Sequence, residues 1–187
     1  MTMHRLALLL LGLFALAGCW AGGDFYAASE RRQPVPAGDY RAEELTRGTI
    51  DSGAIRLSYR PDGLARVVPI DPAGNEDAGD ARLLGLAAID AGNRLFAAWQ
   101  VNEQAPAADR LHLYMLLRQE QNGGFTFFLP ICDGATAAAA TAAGAAIVGG
   151  GGSPVCNFRT RATLEAAFRA AEPGLAIGVR LTPLARD

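Results

Sequence analysis

All 17 basic side chains of this 187-residue chain are arginine, and there is no lysine at all. Schiff-base or amine-nucleophile catalysis by a side chain is therefore excluded. Histidine is almost as scarce, with only His4 and His112. Since His4 falls in the first five residues, any Ser/His/Asp hydrolysis rests on His112 as its base. The cysteines number three, Cys19, Cys132 and Cys156. A Cys/His metal centre would need further ligands, and only His112 is on offer. The net charge of −2 supplies no basic field for nucleic acid. Also missing is an apolar run of the roughly 20 residues that a membrane-spanning helix needs.

What stands first is a shorter run. Arg5 is the one firm positive charge before Leu6–Gly18, a stretch without charged or strongly polar side chains. A positive n-region, a short apolar core and small residues before a cut read as a secretory signal over residues 1–18. Leu16-Ala17-Gly18-Cys19 closes that core, and this tetrapeptide resembles the lipobox of bacterial lipoproteins. The resemblance implies cleavage between Gly18 and Cys19, a diacylglyceryl thioether on Cys19 and N-acylation of the new terminus. Two or three acyl chains, at about 0.8 kcal/mol per buried methylene, give stable anchoring where one would be marginal. The expected partner is thus a membrane, through acyl chains such as palmitate on Cys19. Trp20 rather than Asp follows the cysteine. By the same resemblance this points to the outer membrane, facing the periplasm, with the inner membrane still open.

Residues 20–38, "WAGGDFYAASERRQPVPAG", show no period. Together with Cys19 they read as a lipidated tether over 19–38, reaching roughly 25 Å as a coil. Residues 39–187 then form a single β-rich domain. Cys132 and Cys156 are an even pair in an exported chain and read as a disulfide. Closing that loop is worth about 3.5 kcal/mol in the chain-entropy estimate.

From Asp39 the apolar period is two. Ile55, Leu57 and Tyr59 alternate with Arg56, Ser58 and Arg60 before the turn "RPDG", and "LARVVPI" returns. "RLLGLAAI" with "NRLFAAWQV", and "RLHLYMLLR" with "GFTFFLPI", make two more hairpins. The first and third share an Arg before the turn, a Gly in it and a Pro-Ile ending, a hint of duplication. Residues 134–152 are low-complexity Ala/Gly, expected as a loose helical turn or loop pinned by the disulfide. Thr160 can cap one amphipathic helix, with Leu164, Ala167, Phe168 and Ala171 on its apolar face. Arg161, Glu165 and Arg169 are spaced for i,i+4 pairs. A strand through Leu175, Ile177, Val179 and Leu181 ends the pattern. The fold class is mainly β or α+β: an antiparallel sheet or small barrel of about seven strands, with one helix near the C-terminus.

No catalytic constellation, metal set or cofactor motif emerges. Alternation turns His112 outward beside Tyr114. Glu43-Glu44 and the loop acids Glu76, Asp77 and Asp80 lack the cleft placement of a glycosidase pair. Asp77 and Asp80 also lack EF-hand spacing for calcium. No Lys-Ser/Thr follows "GGGGSP", so a phosphate loop is ruled out. The aromatics Trp99, Phe125 and Phe127 fill a core or line an apolar pocket. Three functions compete. The leading one is a lipid-anchored, non-enzymatic binding or interaction domain of the cell envelope, with an envelope protein as partner. The alternative is an apolar small-molecule or lipid carrier or chaperone with a cavity. A hydrolase comes third.

Overall fold

The computed structural model describes residues 19–30, 33, 35–45, 52–78, 81–90, 95–101, 112–149, 154–172, 175 and 178–184. The expected signal stretch 1–18 lies outside them. Eleven strands follow in chain order: β1 (Trp20–Gly22), β2 (Gly38–Leu45), β3 (Ser52–Tyr59), β4 (Ala65–Ile70), β5 (Arg82–Asp90), β6 (Leu95–Val101), β7 (His112–Gln119), β8 (Phe125–Phe128), β9 (Ala146–Val148), β10 (Val155–Phe158) and β11 (Gly178–Pro183). Among the described residues two α-helices accompany them, α1 (Gly134–Ala142) and α2 (Arg161–Ala171).

Hairpins β3–β4, β5–β6 and β7–β8 follow the period-two stretches. The outer two are built on the same turn. Gly63 and Gly123 sit at φ 83° and 81°, where a side chain is disfavoured. The Asp62 and Asn122 side chains accept the N–H two residues on, at 3.1 and 3.0 Å. In both turns the glycine N–H donates back to the carbonyl that opens the turn. The shared sequence pattern therefore has a shared local cause.

The strands form one mixed sheet in the order β6-β5-β4-β3-β2-β11-β8-β7-β1-β10-β9, and β6 also pairs with β7. Among the described strands only the β1–β10 pair is parallel. The fold is mostly β, as read from the sequence. The sheet is nevertheless larger than about seven strands and is mixed, and a second helix is present. The extra strands β1, β9 and β10 are three or four residues long, too short for alternation to announce them.

Two apolar clusters flank the sheet. The first joins Trp20, Tyr26, Tyr114, Leu116 and Phe128 to Ala140 of α1 and to Leu164, Ala167, Phe168 and Ala171 of α2. The second gathers Tyr40, Ile55, Leu57, Val67, Leu84, Leu86, Met115, Leu117, Phe125, Phe127 and Leu181. β7 and β8 feed both clusters alternately, which is why "FTFF" is apolar on both faces.

Residues 19–38 depart from the expected tether. Trp20, Ala21 and Val35 are fully buried and Tyr26 nearly so. The Trp20 ring lies 5.1 Å from Phe158 and 5.0 Å from Phe168. The Tyr59 hydroxyl donates to the Val35 carbonyl, and Tyr40 donates to Pro36 at 2.7 Å. Apolar side chains at irregular spacing carry no period, yet each finds its own niche. The Ala/Gly segment is ordered too: α1 buries Ala140 and leads into β9. Cys132 and Cys156 are bridged, with Cα atoms 5.4 Å apart.

Candidate functional site

Cys19 bridges Ile131 in the antiparallel sense, and its carbonyl accepts the Cys156 N–H at 3.2 Å. Its side chain is 4 % exposed and belongs to the second cluster, with Val35 and Leu129. Burial pushes the thiol up to about 11. A buried neutral thiol is a poor nucleophile, so a thioether could form only with the Cys19 side chain outside this cluster. Gly18, the other side of the expected cut, lies outside the described residues.

From Cys19 the sheet runs outward in register. Trp20 of β1 pairs with Cys156 of β10, and Cys156 pairs with Ile147 of β9. β9 is the sheet edge. Ile147 and Val148, 53 % and 43 % exposed, are the exposed large apolar side chains among the described residues.

The three aromatics of the expected pocket fall on β6 and β8, which flank β7 on opposite sides. Phe125 and Phe127 of β8 are buried in the second cluster, and Tyr40 meets Phe125 edge-on at 6.4 Å. Trp99 of β6 pairs with Gly85 and Tyr114, but its side chain lies outside the described residues.

His112 reverses the expected orientation. It is 8 % exposed, pairs with Gly22 of β1 and stacks on Tyr114 with ring centroids 6.5 Å apart. The cause is β1, which docks beside β7 where the sequence showed only a tether.

Of the candidate acids, Glu76 and Glu43 face arginines, as do Asp39 and Glu120. On the outer face of β2–β4, Asp39 takes the Arg56 guanidinium at 2.8 and 3.0 Å. Glu76 accepts Arg66 at 2.8 Å, with Arg56 at 3.6 Å. The Arg66 hydrogen bond keeps the Glu76 carboxyl below its usual range. Glu43 faces Arg180 at 4.0 Å. Glu120 is lowered first by the Thr126 hydroxyl, 2.7 Å away. A general acid needs a raised carboxyl; these shifts run the other way. Asp80 lies outside the described residues, and among those described no three His, Cys, Asp or Glu side chains group as metal ligands.

A feature the sequence did not announce ties the start of the domain to α2. Arg161 pairs with Glu30 and, at 2.6 Å, with Glu165, while its guanidinium lies 4.6 Å over the Tyr26 ring. Phe25 stacks on Tyr114 at 5.6 Å. The paired aromatics Phe25 and Tyr26 were the only available signal. Comparison with protein-family models, with curated proteins and with solved structures found no match.

Proposed function

We propose that this is an exported, lipid-anchored protein of the cell envelope whose domain serves as a non-enzymatic interaction module. The observation that carries the reading is the tetrapeptide Leu16-Ala17-Gly18-Cys19 closing an apolar run. The Cys132–Cys156 bridge supports it, because such bonds persist in oxidising compartments. Since β1 begins at the residue after Cys19, an anchor on Cys19 holds the domain directly against the membrane rather than on a tether.

We further infer that the pairings β2-β3-β4-β5-β6-β7-β8-β11, returning to β2, close into a small antiparallel barrel. The second cluster is then its interior. Eight strands leave a lumen just wide enough for side chains or one small ligand, so this pairing pattern also favours the carrier as a second reading. Buried Tyr40, Met115, Phe125 and Phe127 support a filled interior, and with it the interaction module.

The test is fractionation of the wild type and Cys19→Ser, with intact-mass analysis of membrane-extracted protein. Wild type is expected in membranes with an acylated Cys19, and Cys19→Ser in the soluble periplasmic fraction. An unacylated Cys19 in wild type refutes the anchor. A stoichiometric apolar molecule released from both proteins by solvent establishes the carrier instead.

A further inference from the structure

We propose that the β9 edge, Gly144–Gly149, is a membrane-contact element that lies in the headgroup region of the bilayer beside the lipid anchor; this rests on acylation of Cys19. Three observations converge on it. The first is chemical. Exposed sheet edges usually carry charge or proline against unwanted pairing, yet Gly134–Gly152 contains neither. Within this stretch β9 turns Ile147 and Val148 outward. In water that edge is a liability; against lipid the same side chains are stabilised by burial.

The second observation is register. The Cys19 carbonyl is hydrogen-bonded to the Cys156 N–H, and Cys156 pairs with Ile147. Two strand spacings therefore separate the anchor residue from Ile147, about 10 Å. The third is the missing slack. Trp20, fully buried, follows Cys19 immediately, so acyl chains entering the bilayer bring this side of the sheet down with them. A group about 10 Å from the point of insertion is within reach of the headgroup layer once the sheet leans toward the membrane. The fitting occupant is thus a phospholipid surface, met through apolar contact; no charged side chain of the segment takes part.

The experiment uses the full-length acylated protein in phosphatidylethanolamine/phosphatidylglycerol vesicles that contain a phospholipid with a diazirine-bearing headgroup. After illumination, adducts are mapped by peptide mass spectrometry. Adducts at 144–149 are expected, and Ile147→Asp should lower their yield about tenfold. The Asp variant is first checked for an unchanged melting transition. Adducts absent from 144–149 in protein with an acylated Cys19 overturn this proposal and leave the anchor standing. An acyl-free Cys19 overturns both. Crosslinks joining 144–149 of two copies, in place of lipid adducts, assign the edge to self-association and also overturn the proposal.

Discussion

Single residues set two sharp sensitivities. Gly178 pairs with Leu45 on one side and Phe128 on the other, and a Cβ there would collide with the Phe127 carbonyl oxygen. That obstacle is backbone and cannot swing away, so Gly178→Ala should cost about 3 kcal/mol in urea unfolding. Two residues on, the exposed Arg180→Ala should stay within about 0.5 kcal/mol. The second sensitivity is to alkali. In unacylated protein burial raises the Cys19 thiol from 9.0 to about 11, and with or without acylation it lifts the Tyr26 and Tyr114 phenols well above 10.0. A raised group favours the folded state fully while pH stays below its unfolded value. The advantage is lost as pH climbs from there through the folded value. Urea midpoints should thus be level from pH 7 to about 8.5 with respect to these groups, then fall above pH 9 and more steeply above 10. Each group contributes up to about 1.4 kcal/mol per pH unit. Tyr114→Phe should flatten the steep limb while lowering the plateau, because its hydroxyl donates to the Gly23 carbonyl and accepts the Phe25 N–H at 3.3 Å.

Among the elements, α2 was the most legible. Thr160 caps it by accepting the Thr163 N–H at 3.3 Å, and the four residues expected to face the core are its buried ones. Arg161 and Arg169 both reach Glu165. The three hairpins were legible for the same reason: their period and their turn residues agree. α1 was not, because an alanine-rich stretch has no polar face to give it a phase. Its one fully buried residue, Ala140, is distinguished only by what lies above it. The sequence view of 134–152 as a loose helical turn or loop, pinned only at its base, implies that its composition hardly matters. The structure replaces that view with a paired test. Ala140→Asp should cost about 3 kcal/mol or more by placing a carboxylate among Trp20, Phe158 and Phe168. Ala138→Asp, on the exposed side of the same helix, should shift stability by under about 0.5 kcal/mol. Equal effects in chemical denaturation would restore the loose loop. At the candidate site the pattern repeats: the lipobox and the cysteine pair are local signals, whereas the burial of Cys19 and His112 depends on β1 meeting β7 across the chain.

At the scale of the whole molecule, the two clusters are joined through β7 and β8, so neither can melt alone without exposing the other. The described residues of 19–37 belong to this unit: Trp20 and Tyr26 complete the helix-side cluster, and Cys19 and Val35 enter the other. A chain beginning at Gly38 should therefore lose its single sharp thermal transition and bind the dye ANS, as a state with unfixed packing does. A tether would leave both properties unchanged. Differential scanning calorimetry alongside dye fluorescence decides between them.

β1 comes first in the chain, but its neighbours are Leu113 and His112 on one side and Cys156–Phe158 on the other. In a chain that emerges from its N-terminus, this strand has nowhere to dock until most of the polypeptide has followed. Pairings so distant along the chain form slowly. Under the anchor reading, this delay keeps Cys19 open to modifying enzymes, and the closing of the sheet ends their access. The topology thus acts as a clock: the order of synthesis, rather than a flexible spacer, sets how long the cysteine can be reached.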